Sequence, residues 1–198
     1  MDEQQWFAET DPEPMLAFVR NRIGLRKLRL FVCACWRRVL SLLDEQAATA
    51  LYATEQSAEN GIIIEGEAHD LFRDASDVTD QFAWSMAFNP SNTTVDGGKS
   101  YEIERAAQCQ LLRDIVGNPF RPVAIYPILI TPEIAQIAQI AYQERTFPTG
   151  TLYAPRLAAL ADALETTGCT DAEILTHCRN AETHVRGCWV IDWVMGKS

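Results

Sequence analysis

Apolar residues recur at three- and four-residue spacing along much of the chain, and the elements this pattern predicts are helices. The longest stripe, Leu25, Leu28, Phe31, Val32, Cys35, Val39 and Leu42, runs through LRKLRLFVCACWRRVLSLL, with Arg26, Arg29, Arg37 and Arg38 mostly off it. A short helix over about 13–22 precedes it, with Thr10-Asp-Pro-Glu13 as its capping box and Pro12 near the first helical position. Gly24 separates the two. The Ala-rich stretch 44–60 is helical with Gly61 as its stop. GIIIEG, 61–66, reads as a short strand or an extended link. Helical spacing returns over 67–88 and ends in an aromatic patch, Phe82, Trp84, Met86 and Phe88. The loop 89–100, rich in Asn, Thr and Gly, reads as flexible, and a helix from Ser100 to Val116 follows, closed by Gly117.

Prolines at 119, 122, 127 and 132 exclude helix and central strand from 117–131, which reads as an extended connector wrapping the helices. Thr131 and Pro132 restart a helix with Ile134, Ile137, Ala138, Ala141 and Tyr142 on one face. Further helices are predicted over 152–167, over 171–179 behind a capping box at Thr170–Glu173, and over His184–Met195. The expected fold class is all-α: one irregular multi-helix domain over 1–198, of about seven to nine helices, with room for one short strand pair.

Length and composition narrow the class further. With 198 residues, 47% of them hydrophobic, and 18 aromatics, the chain can fold around its own core without a disulfide or metal staple. No apolar run suits a membrane span, and the acidic start MDEQQWFAETDPEP does not have the form of a secretory signal. The expectation is a soluble cytoplasmic protein with no membrane contact. Six cysteines (Cys33, Cys35, Cys109, Cys169, Cys178, Cys188) contain no Cys-x-x-Cys pair and read as reduced, buried thiols.

Charge changes the picture in one place. The net charge is −10, yet 20–38 holds seven basic residues (Arg20, Arg22, Arg26, Lys27, Arg29, Arg37, Arg38) and no acidic one. The overall balance repels a polyanion and argues against nucleic acid as a partner. The basic helix is expected to meet the protein's own acidic helices, or another protein through Arg22, Arg26, Lys27 and Arg29.

The densest chemistry is THCRNAETHVRGCWVID. His184 and Cys188, four apart, would share a helix face as two ligands of one zinc ion. His177 could add a third, and Cys33, Cys35 or Cys169 a fourth. The alternative is packing and capping with no cofactor. A thiol hydrolase built on His184, Cys188 and Asp192 fits poorly, because three residues on one straight face do not form a nucleophile–base pair. Asp70, Asp74 and Asp77, with His69 and Glu67 nearby, form a carboxylate stripe that could bind a divalent cation or act as paired acid and base, and that reads instead as a solvated face or the basic helix's counterpart. Arg121 in GNPFRP and Arg186 in HVRGCW, paired with Asp114 and Asp192, are expected to clamp the connector onto the last helix.

The runs DPEPML, RKLRLFVCACWRR, ERAAQCQLLRDIVGNPFRPV, LAALADALETTGCTDAEILTHCR and HVRGCWVIDWVMGK resemble a large family of uncharacterised bacterial proteins that carries these blocks in the same order. The resemblance spans most of the chain outside about 44–103. It implies one shared architecture and carries no activity or site residue with it. On these grounds the expected function is a helical protein–protein interaction module rather than an enzyme. The alternative is a small metal- or thiol-dependent enzyme centred on His177, His184 and Cys188.

Overall fold

The computed structural model describes residues 1–38, 40, 45–61, 97–121, 123, 130–180 and 182–197. Its helices are α1 (Glu3–Ala8), α2 (Pro12–Val19), α3 (Leu25–Arg38), α4 (Glu45–Glu59), α5 (Gly97–Val116), α6 (Pro132–Gln143), α7 (Ala154–Thr166), α8 (Ala172–Arg179) and α9 (Trp189–Met195). Two short strands, β1 (Arg145–Thr146) and β2 (Thr151–Leu152), pair antiparallel with Arg145 opposite Leu152. The all-α expectation holds. The strand pair lies here, at 145–152. The GIIIEG candidate beyond Gly61, the helix 67–88 with its aromatic patch and carboxylate stripe, loop positions 89–96 and connector positions 122 and 124–129 lie outside the described residues, while positions 97–100 of the expected loop belong instead to the first turn of α5.

Cap chemistry explains where several helices start. Asp2 and Gln5 form a reciprocal capping box on α1. The caps of α2 and α8 are Asp11 and Asp171, one residue later than the threonines the sequence suggested. In each case a carboxylate accepts first-turn N–H groups and complements the positive helix end better than a neutral hydroxyl. Thr131 caps α6 by accepting from the Ile134 N–H at 3.3 Å, with Pro132 behind it, as expected.

Two apolar clusters make the core. One gathers α6, α7, α8 and α9 around Leu157, Leu160, Leu164, Ile174, Val190 and Ile191. The other gathers α1, α2, α3 and α5 around Trp6, Met15, Leu28, Phe31, Leu112 and Ile115, and includes Val185. Helix α3 is buried on more than its predicted stripe, because Arg29 and Arg37 are also inside. Both arginines were expected mostly off the apolar face. Burial is tolerable where the charge is paired, and Arg37 meets the equally buried Glu55 at 2.6 Å.

The largest departure is at the C-terminus. The helix expected over His184–Met195 begins only at Trp189, and Cys188 stands at its N-cap position. Gly187, at φ +89°, turns the chain just before it, and a Cβ there would meet Leu30 at 3.1 Å. His184 and Cys188 therefore do not share a helix face.

Candidate metal centre

The turn at 184–188 brings together what a straight helix would have kept apart. Asp114 projects from α5, 3% exposed, on the face that carries Leu111 and Ile115. Its Oδ1 lies 2.7 Å from His184 Nδ1 and 3.2 Å from His177 Nε2. Its Oδ2 accepts the Val185 backbone N–H at 2.7 Å, which fixes the carboxylate plane. Cys188 Sγ stands 3.3 Å from the same His177 Nε2. One donor atom from each of Asp114, His177, His184 and Cys188 falls within 4.8 Å of all the others.

The cluster sits at the seam of the two cores. Asp114 is flanked by Leu112 and Ile115 of one, while His177 and Cys188 adjoin Cys178 and Trp189 of the other. The His177 ring meets His184 edge-on at 4.7 Å between centroids and lies 5.1 Å from Trp189. Three of the four residues are buried; His177 alone reaches a cleft of about 450 Å³, lined also by Arg113, Gly117, Asn118 and Arg121.

Electrostatics inside the cluster are strongly coupled. Burial would raise the Asp114 carboxyl, but hydrogen bonds from His177 and His184 overcome it and hold the group at about 2. Burial pulls the His184 ring down. The hydrogen bond and charge of Asp114 outweigh it and leave the ring raised, with a smaller contribution from the Asn180 carbonyl. Burial, reinforced by the Asp114 charge, pushes the Cys188 thiol well above its usual range.

These hydrogen bonds leave one demand unmet. His177 Nε2 faces a carboxylate and a thiol together. Protonated, it must divide its one N–H between them; bare, it accepts from the thiol but repels the carboxylate. A zinc ion suits such a set, since it takes sulfur, nitrogen and oxygen donors tetrahedrally. Bond lengths of about 2.0–2.3 Å give donor separations near 3.3–3.7 Å. The 2.7–3.3 Å contacts need to open by about 0.1–0.6 Å, and any donor pair near the 4.8 Å limit of the cluster has to close by about 1 Å.

The same geometry argues against thiol catalysis. An activated cysteine needs a lowered pKa and access to substrate, whereas Cys188 is fully buried with its thiol raised. In a triad the histidine meets nucleophile and acid through different nitrogens; here Nε2 faces both.

The predicted ligands His177, His184 and Cys188 are thus together, and the fourth member is Asp114, not a further cysteine. Cys33, Cys35 and Cys169 are buried elsewhere, and all six cysteines are free thiols. One signal could have exposed Asp114: it stands three residues after Leu111 on a buried helix face, where an acid needs a partner.

The expected clamp pairings are different in the fold. Arg121 bonds Glu3 and is 70% exposed, so it is no buried anchor. Arg186 lies 4.0 Å from Glu55 and over the Tyr142 ring. Asp192 is instead gripped by Arg26 through two bonds of 2.7 and 3.0 Å, with Lys27 at 3.7 Å.

The basic segment likewise turns inward at most positions. Arg26 also reaches Glu59 and Tyr142, Lys27 donates to the Ile115 carbonyl at 2.6 Å, and Arg38 forks onto Glu104. Arg29 is buried. Arg22 stays exposed over the Phe18 ring. Among the described residues no helix is long and apolar enough to cross a membrane. Compared with protein-family models, curated proteins and solved structures, the chain matches none.

Proposed function

We propose that the chain is a zinc-binding helical protein whose Asp114, His177, His184 and Cys188 hold one ion that staples α5, α8 and the 182–188 segment. The supporting observation is the convergence of four donor atoms from separated parts of the chain within 4.8 Å. Four protein ligands leave no open coordination position, which favours a structural centre over a hydrolytic one. All four donors fall inside the blocks that resemble the bacterial family, and we propose membership of that family on the same residues.

The competing reading, a protein-interaction module docking through the basic segment, draws less support. Arg26, Lys27 and Arg38 use their charge on internal partners, and Arg29 is buried. Arg22 is the member of the predicted set with an exposed charge.

Metal analysis of the natively purified protein tests the proposal, with cobalt substitution as the structural probe. One equivalent of zinc is expected, and the Co²⁺ form should show tetrahedral d–d bands with a thiolate charge-transfer band that Cys188→Ser removes. Folded protein that takes up neither metal at stoichiometric concentration would refute it.

A further inference from the structure

A second group of buried charges lies away from the centre, where α3, α4, the β1–β2 hairpin and the 184–188 turn meet. Glu55 of α4 is 3% exposed and accepts from two arginines. Arg37 reaches it through Nη2 at 2.6 Å and Arg145 through Nη1 at 2.8 and 2.9 Å. Arg186 adds a third guanidinium, with Nη1 at 4.0 Å. Among the described residues no other carboxylate pairs with these three arginines, so three guanidiniums face one acid with a surplus of two positive charges.

The surplus is buried. The Arg37, Arg145 and Arg186 side chains are 7%, 5% and 14% exposed. Arg145 Nε, Arg186 Nε and Arg186 Nη1 are enclosed and have no hydrogen-bond partner. Aromatic rings lie close: Arg37 and Arg145 stand over Phe147, and Arg186 over Tyr142, at 5.1–5.8 Å. A ring stabilises a cation through its face but supplies no acceptor oxygen to the guanidinium edge. Like-charge crowding is felt as well, since burial first and then Arg186 and Arg37 lower the Arg145 pKa against the pull of Glu55.

We propose that Arg37, Arg145 and Arg186 form a site for a phosphate or phosphomonoester dianion, which the unpartnered Nε of Arg145 and the unpartnered Nε and Nη1 of Arg186 meet when the partly exposed Arg186 side chain swings from its packed position. Guanidinium forks match the tetrahedral oxyanion, and its charge of about −1.5 to −2 at neutral pH balances the surplus. A carboxylate would balance half of it. The part of Arg186 that stays exposed gives access, and Phe147, 62% exposed, offers a ring beside the site for the organic part of a phosphomonoester. The site shares only the turn carrying Arg186 with the metal centre, so it does not rest on the zinc reading.

The test uses the full chain, metal-free and zinc-loaded, titrated with inorganic phosphate and with phenyl phosphate at constant ionic strength by calorimetry. Saturable binding is expected, weakened about tenfold or more by Arg186→Gln, and acetate should compete at least about tenfold more weakly than phosphate. Tighter phenyl phosphate identifies a phosphomonoester as the ligand; equal affinity identifies free phosphate. The exposed position in Phe147→Trp supplies a reporter that needs no arginine removed, and its emission should change saturably with phosphate. No heat and no emission change up to about 10 mM phosphate overturns the proposal, as does unchanged affinity in folded Arg186→Gln.

Discussion

Replacing Asp114 with asparagine isolates the charge at the centre of the cluster. The amide has almost the volume of the carboxylate, so no cavity opens and the cost is electrostatic. In the metal-free protein two magnitudes bracket it. A carboxyl held at about 2 instead of 3.8 contributes roughly 2 kcal/mol at neutral pH. Removing one partner of a buried charge pair costs about 3–5 kcal/mol. Asp114 serves His184, His177 and the Val185 N–H together, and the asparagine carbonyl can keep one of these acceptor roles. The expected loss is about 3 kcal/mol, a drop of roughly 6–12 °C in melting temperature for a chain this size. Urea melts in chelator at pH 7 measure it, and a second series in excess zinc separates the metal from the network. Zinc at about a thousandfold over its dissociation constant should add about 4 kcal/mol to the wild type. It should add far less to the variant, which lacks the anionic ligand. A metal-free loss under about 1 kcal/mol would refute the network argument, and equal zinc stabilisation of both proteins would refute the role of Asp114 as ligand.

Without metal, stability should depend on pH in two directions. Asp114 has a lowered pKa, so its contribution is complete above about pH 4 and is lost as pH falls toward 2. His184 has a raised pKa, so its contribution is complete below about pH 6.5 and is lost as pH rises through the folded value. Denaturant melts across the range should therefore peak between these limits, and no decline on the alkaline side would contradict the His184 assignment. Arg26→Met strands the buried Asp192 and should cost about 3–5 kcal/mol, while Arg121→Ala, on an exposed pair, should stay within about 0.5 kcal/mol; similar losses in melts of the two proteins would overturn this ordering. Gly117→Ala combines φ +74° with a Cβ 2.9 Å from the Trp189 ring, so it should lose about 2 kcal/mol or more in thermal melts. A neutral result would mean that Trp189 can shift freely.

Most of the described helices and the reduced thiols were legible in the sequence because each depends on local spacing, but α1 (Glu3–Ala8) was not, and α9 begins at Trp189 rather than His184. Leu25 through Cys35 repeat at the helical period, and Pro132 follows a capping Thr131. The histidine–cysteine pattern also marked three of the four donors. Its geometric basis was different, because His184 and Cys188 were expected four apart on one helix and instead meet across a turn at Gly187. The basic run was visible as charge, but its partners were not.

Sequence by itself determined which residues want burial, which start helices, and where unlike charges are abundant, since period and cap chemistry act over a few neighbours. Tertiary structure alone decided who meets whom. Asp114 joined the histidines instead of Arg121, Asp192 went to Arg26, and three arginines gathered on Glu55. The physical reason is that a buried charge takes a partner wherever the packing of the two cores brings one within reach, and that packing is set by contacts up to 166 residues apart in the chain.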